Sequence, residues 1–228
     1  LAGTELIARA ARSAGKVCQV GHQKRYGLAY QRARSIAADR KKFGTIIQIE
    51  SKMHGFTVFP TFYTCMLEWQ CHNLDLVVSI GGNITEIEAK YLKVKENTGA
   101  LSALLRFESG AIGTLNWGTY GGPGQYAERM EILSDTGRGV IVTNAREVTS
   151  YREDTGECWT SDWNPISRNQ SHVFNGYTGE LRAFIDAVRK GTEVIPSIHD
   201  EAKTMGWLSQ IAKKAGIPVE WAPVASAL

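Results

Sequence analysis

Between residues 84 and 152 the chain runs as a series of short extended stretches broken by turn signals, and nothing else in it limits the fold so strongly. The stretches are residues 84–94, 100–107, 111–120, 127–133, 139–143 and 147–152. The breaks are Glu96-Asn97-Thr98-Gly99, Glu108-Ser109-Gly110, Gly121-Gly122-Pro123-Gly124, Asp135-Thr136-Gly137 and Asp154-Thr155-Gly156. Gly, Asn and Asp tolerate positive φ or bond their own backbone, so each break reads as a chain reversal. Successive strands joined by reversals make a meandering, mostly antiparallel sheet. In the first stretch Glu86, Glu88, Lys90 and Lys93 alternate with Ile87, Ala89, Tyr91 and Leu92, imperfectly at its end. One face of the sheet is therefore expected to be apolar and the other polar.

Helical patterns flank this region. Residues 4–12 are helical in period and Gly15 is a stop; residues 29–39 form a second helix, ended by Phe43-Gly44. Residues 177–190 carry Leu181, Phe184, Ile185 and Val188 on one stripe, with Gly191 beyond. Residues 200–215 carry Met205, Leu208, Ile211 and Ala212, with Gly216 and Pro218 beyond. Residues 16–21 read as a short buried strand and residues 45–54 as an extended segment. A helix followed by a short apolar strand is half of a βαβ unit, and a parallel strand needs neighbours and crossover helices to cover it. Residues 1–21 are thus expected to be the last helix and strand of a Rossmann-type domain whose larger part lies upstream. Residues 22–228 then form the carboxyl-terminal domain, and the fold class is α+β.

Composition excludes several partners. The net charge of +3 is spread along the chain, with Arg40-Lys41-Lys42 the densest cluster, so nucleic acid is not implied. No run of about 18 apolar residues exists to cross a membrane. Glu5, Arg9 and Arg12 interrupt the amino terminus where a signal peptide would be apolar. Cys18, Cys65, Cys71 and Cys158 form no C-x-x-C pair, so no metal site is expected, and reduced thiols suit a cytoplasmic protein.

The residues with the clearest chemical meaning are Glu68, His72 and Asp75. Their i, i+4, i+7 offsets put them on one face of a helix, seated by Leu67, Leu74, Val77 and Val78. A carboxylate beside an imidazole is the geometry of a general acid/base pair; it is also that of a surface ion pair or of a buried histidine satisfied by Glu68. His22-Gln23-Lys24-Arg25-Tyr26 follows the short strand directly, at the end where α/β proteins bind ligands, or else is a hydrated loop entering the next helix. His54 closes the extended segment. Gly121-Gly122-Pro123-Gly124 lies between strands and has no helix amino end after it to hold phosphate.

Three motifs together carry a resemblance. Gly21-His22-Gln23-Lys24-Arg25-Tyr26, then Glu68-x-x-x-His72-x-x-Asp75-Leu76, then Tyr177-x-x-Glu180-Leu181-x-x-Phe184 stand in the order and spacing of one family. The chain resembles the glucose–fructose oxidoreductase/inositol dehydrogenase (Gfo/Idh/MocA) family of NAD(P)-dependent oxidoreductases over essentially its whole length. The resemblance implies an open, mostly antiparallel sheet with helices on one face, following a Rossmann domain. The glycine-rich phosphate loop and the catalytic lysine would lie upstream, in a missing piece on the order of 100 residues. No usable G-x-G-x-x-G occurs in this sequence. The family's Asp-x-Gly-x-His motif reads Glu68-x-Gln70-x-His72 here, and the longer Glu side chain moves the carboxylate by about 1.5 Å.

The resemblance makes His72 the candidate general base for the substrate hydroxyl, with Glu68 orienting it or binding a neighbouring hydroxyl, and with Asp75 holding the helix or the His72 ring. It makes Gln23 a cofactor and substrate contact, and Lys24 and His54 substrate contacts. Trp117 and Tyr120 would wall the pocket, where sugar faces stack on aromatic rings, or else are ordinary sheet packing. The implied activity is hydride transfer between NAD or NADP and a hydroxyl carbon of a sugar or polyol, and this chain alone is expected to be inactive. The alternative is a non-catalytic assembly domain that forms homo-oligomers through the open sheet, with Val140, Ile141, Val142, Ile112 and Leu115 supplying an apolar face, half of them pointing inward. A third possibility is altered chemistry at the same site, such as cofactor-dependent elimination or hydrolysis.

Overall fold

A computed structural model describes residues 2–55, 59–119, 127–161 and 170–219. Its elements, in chain order, are α1 (Ala2–Ala14), a 3-10 turn (Gln23–Tyr26), α2 (Leu28–Ala38), α3 (Arg40–Phe43), β1 (Ile46–His54), α4 (Phe62–Cys65), a π-helical turn (Met66–Gln70) and α5 (Cys71–Gly81). Seven strands follow: β2 (Ile84–Lys93), β3 (Gly99–Phe107), β4 (Ile112–Gly118), β5 (Ala127–Ser134), β6 (Gly139–Thr143), β7 (Glu147–Arg152) and β8 (Thr155–Thr160). Three helices close the described chain: α6 (Ser171–Phe174), α7 (Tyr177–Lys190) and α8 (Ile198–Ala215).

The strands form one open, eight-stranded, mostly antiparallel sheet in the order β2-β3-β4-β1-β5-β6-β7-β8. The α+β expectation holds, but the meander is not continuous. β1 lies between β4 and β5, parallel to β4 and antiparallel to β5. Parallel neighbours cannot be joined by a tight turn, and here α4, α5 and the β2–β3 hairpin intervene between β1 and β4. β8 was absent from the expected strands. The turn before it is Glu153-Asp154, with Glu153 at φ 56 and Arg152 paired to Thr155, so Thr155 and Gly156 belong to the strand.

Helices cover one face. α5 packs on β1 and β4, α2 on β6 and β7, and α8 on β2. Between them lies a core that includes Ile49, Met53, Leu74, Leu76, Leu105, Leu115, Ile132, Val140 and Val142. Trp117 is in this core, donating its indole N–H to Asn73 Oδ1 at 2.8 Å; Asn73 in turn donates to Ser51 Oγ at 2.7 Å. Such a chain leaves no buried polar group of α5 or β1 unsatisfied at that point. Of the five residues expected on an apolar outer face, Val140, Val142 and Leu115 are buried in the core and only Ile112 is largely exposed. Strand alternation explains the split: the register that buries Leu115 must turn Ile112 and Thr114 differently.

Residues 16–21 do not form a strand of the sheet. Gln19 makes an isolated antiparallel bridge to Ser197, supported by Val20 N–H to the Pro196 carbonyl and Ile198 N–H to the Cys18 carbonyl. Those bonds tie the segment to the entry of α8. That entry is fixed by a capping box in which Ser197 accepts from Asp200 N–H and Asp200 accepts from Ser197 N–H. The stripe on α7 is present but uncovered: Leu181 (61%), Ile185 and Val188 are exposed among the described residues.

Candidate active site

A cleft of about 520 Å³ opens where the 3-10 turn, the π-helical turn and the start of α7 meet. It is lined by Gln23, Lys24, Glu68, Trp69, His72 and Tyr177, among others. A somewhat larger cleft, about 600 Å³, lies between α2, α3 and the β7–β8 hairpin, but no histidine or cysteine lines it.

The segment carrying Glu68 is not a regular helix. Cys71 N–H bonds back to the Met66 carbonyl, five residues earlier, which widens the turn. Offsets of four and seven therefore no longer mark one face. Glu68 is exposed, while Met66 and Gln70 are buried on the inner side and Asp75 is 1% exposed. Among the described residues no hydrogen bond or ion pair joins Glu68 to His72. The expected carboxylate–imidazole pair is thus not made, although both side chains line the cleft. Both polar atoms of the Gln70 side chain are buried without a hydrogen-bond partner among the described residues.

His72 is instead paired with His22. Their Nδ1 atoms lie 3.0 Å apart with the rings edge to face at 84°. His22 is buried (2% exposed), and its Nε2 lies 2.6 Å from Glu201 Oε2 of α8. Asp75 does not hold the His72 ring. It accepts two bonds from Arg25, Nε to Oδ2 at 2.7 Å and Nη2 to Oδ1 at 2.6 Å, and sits 3.9 Å from His22 Nε2. Helix α5 and the 3-10 turn are bolted together by this bidentate pair.

Lys24 is ion-paired with the buried Glu128 of β5, which also accepts from the Tyr30 hydroxyl. Burial and that carboxylate raise the Tyr30 phenol well above its ordinary range, so it stays a donor. Gln23 donates to the Tyr177 hydroxyl at 3.3 Å. Gly176, at φ 98, lets α7 start against the 3-10 turn; a side chain there would meet the Gln23 carbonyl and Gly27 N. The aromatic wall is Trp69, stacked on Phe59 at 6.4 Å between centroids. A side chain at Gly55 would overlap the Trp69 ring, so this glycine is what admits the indole.

The structure thus brings Gln23, Lys24, Glu68 and His72 to one cleft. Trp117 is in the core, and His54, although at the end of β1, does not line the cleft. Tyr120 and the Gly121–Gly124 turn lie outside the described residues. Sequence reading missed Trp69, Glu128 and Glu201; the last two meet their partners across 104 and 179 residues.

The two imidazoles have opposite electrostatics. Burial, then the His22 and Lys24 charges, push His72 down to about 3. Burial opposes charge on His22 as well, but the Glu201 hydrogen bond and the Asp75 and Glu201 charges outweigh it, so His22 is raised above 6.5. Both shifts act on stability. The unfolded chain takes up a proton at His72 near pH 6.5 that the folded chain refuses until about pH 3, so this contribution is present above 6.5 and lost as pH falls toward 3. His22 contributes fully below 6.5, and its contribution is lost as pH rises through its raised folded value. Together they favour a maximum near pH 6.5, with an acid-side loss on the order of a few kcal/mol. Denaturant midpoints measured against pH should show a shallower acid-side loss in His72→Gln; an identical loss excludes His72 as its source.

His22, His72 and Cys71 offer ligand atoms within 4.8 Å of one another. Burial and the nearby Glu201 and Asp75 charges push the Cys71 thiol well up, and the two imidazoles already bond each other. The trio is a hydrogen-bonded pair beside a buried thiol.

The open sheet with its helical face is similar to part of several solved dehydrogenases and oxidoreductases. A dehydrogenase from Chromobacterium violaceum superposes with a TM-score of 0.84 at 18% identity, over 93% of this chain and 65% of that one. The UDP-N-acetylglucosamine 3-dehydrogenase of Acidithiobacillus ferrooxidans gives 0.75 at 16% identity, over 93% and 66%. An oxidoreductase from Agrobacterium radiobacter, in complex with NAD+, L-tartaric acid and magnesium, gives 0.77 at 14% identity, over 93% and 67%. The chain spans less than two thirds of the Chromobacterium protein. No curated protein matches it. Residues 30–140 match the family model for the GFO/IDH/MocA C-terminal domain, so that stretch of the chain is similar to that family's carboxyl-terminal domain. No helix among the described residues is long and apolar enough to cross a membrane.

Proposed function

We propose that this chain is the substrate-binding part of an NAD(P)-dependent oxidoreductase acting on a hydroxyl carbon of a sugar or polyol. The observation that carries the reading is His72. It is a neutral imidazole in the wall of an open cleft, held through Nδ1, with Nε2 bonded to no described residue. A neutral imidazole whose Nε2 carries a lone pair can accept a hydroxyl proton. Trp69 offers an apolar ring for a sugar face, and Lys24 with Gln23 offers donors for its hydroxyls. The same donor set fits the nicotinamide end of the cofactor: Gln23 would bond the carboxamide, and bound nicotinamide supplies the hydride acceptor. In this reading residues 1–21 close a Rossmann domain and residues 22–228 form the substrate domain, working in the cytoplasm.

The test is full-length protein with NAD+ or NADP+ and a panel of polyols and aldoses, read by nicotinamide absorbance. Reduction of cofactor with at least one polyhydroxy substrate is expected. No reduction with any of them, while the cofactor is bound, refutes the reading. The 228 residues alone should bind NAD(H) only weakly, because phosphate-binding elements are not among them. Calorimetry checks this, and a dissociation constant of about 1 μM or below would overturn it. Assembly through the open sheet is the second reading, and Ile47, Leu92, Leu104, Ile112 and Tyr151 are large apolar side chains exposed along its strands. Light scattering of full-length protein measures it directly.

A further inference from the structure

His72 presents a difficulty that the proposed function leaves unsolved. A base works best when its proton affinity matches the working pH, and His72 disfavours its own cationic form. The proton it takes must therefore leave by another route. The structure contains one. His22 is bonded at both ring nitrogens, Nδ1 to His72 and Nε2 to Glu201, and these three side chains come from a turn, α5 and α8.

We propose that Glu201 and His22 form a proton relay behind His72, in which the proton accepted at His72 Nε2 is matched by transfer of the His72 Nδ1 proton to His22 Nδ1. The proposal rests on the oxidoreductase reading above. Two nitrogens 3.0 Å apart share one hydrogen, so the charge on His22 sets the tautomer of His72. When His22 is neutral, its Nε2–H donates to Glu201, its Nδ1 accepts from His72 Nδ1–H, and His72 Nε2 carries a lone pair. When His22 is cationic, its Nδ1–H donates to His72 Nδ1, and His72 Nε2 carries the hydrogen.

In substrate oxidation the O–H bond breaks as the carbon gives its hydride to oxidised nicotinamide. The proton goes to His72 Nε2, the Nδ1–H of His72 passes to His22, and the positive charge ends beside Glu201 and Asp75. His72 is neutral before and after. In reduction every step reverses, and His72 Nε2–H is the acid. Other charged or titratable groups around the pair are Arg25 and Lys24 on the 3-10 turn, Cys71 on α5 and Glu180 on α7. Arg25 is neutralised by Asp75, and Lys24 is paired with Glu128. Glu201 is the carboxylate bonded to the relay. It acts through His22 and is a positioning residue.

Ring nitrogen NMR of full-length protein labelled with 15N-histidine reads this without turnover, with signals assigned by His72→Gln and His22→Gln. As pH rises through the titration of His22, His72 should switch from the Nε2–H to the Nδ1–H tautomer without ever becoming doubly protonated. Glu201→Gln, which keeps the shape and removes the charge, should lower the pH of both events by about one unit. In the wild-type enzyme kcat/KM for oxidation should rise through the same pH, and Glu201→Gln should move that limb down in parallel while KM changes little. An independent titration of His72, or a tautomer indifferent to His22, overturns the relay. So does zinc found on both histidines in protein as purified. If the tautomer switch is seen but no substrate is oxidised, the relay stands and the oxidoreductase reading falls.

Discussion

Replacing His72 with glutamine in the full-length protein should lower kcat for substrate oxidation by about 10²- to 10⁴-fold, the range for loss of a positioned acid/base. Glutamine keeps a polar side chain of similar reach, so the cleft wall survives while proton transfer does not. KM should change much less, because in the proposed reading the donors to the substrate are Gln23 and Lys24, which line the cleft. Glu68→Gln is the control. Glu68 is exposed and bonds nothing on His72, so its loss should alter substrate affinity more than kcat. Steady-state kinetics on both variants, with circular dichroism to show folding, decides between them. An unchanged kcat in His72→Gln would take the imidazole out of the chemistry.

Arg25→Met should be the most destabilising single change at the site, costing about 3–5 kcal/mol. Arg25 and Asp75 are both buried and meet through two short bonds. Removing the guanidinium leaves a carboxylate out of water with no matching donor, and the penalty of that group exceeds the worth of the pair itself. The double variant Arg25→Met/Asp75→Leu should recover much of the loss, since neither charge is then stranded. Urea unfolding midpoints measure both. A single variant as stable as wild type would show that Asp75 finds water or another partner.

What the sequence made legible was local. β6, β7 and α7 fall at their expected limits because turn residues and a terminal glycine mark them within a few positions. His72, Gln23 and Lys24 were legible because motif order carried them to one cleft. The rest depends on contacts that no window contains. β1 enters the sheet between two strands that follow it by more than fifty residues, as the pairings of Gln48 with Ile112 and Leu133 show. Glu201 reaches His22 from the far end of the chain, and Glu128 reaches Lys24 from the middle. β8 has almost no buried side chain, so alternation gave no signal there. On α7 the period identified an apolar stripe, but a period does not say what, if anything, lies against it.

The π-helical turn at Met66–Gln70 bears on how such a chain can change in evolution. The turn holds one residue more than an α-helical turn, and the helix continues through it unbroken. Loss of a single codon within it would restore regular bonding and rotate the preceding segment by about 100° relative to α5. His72 lies after the turn and would keep its place; Glu68 and the aromatic wall lie within it and would not. One codon lost there would reshape the wall of the cleft while leaving the imidazole unmoved.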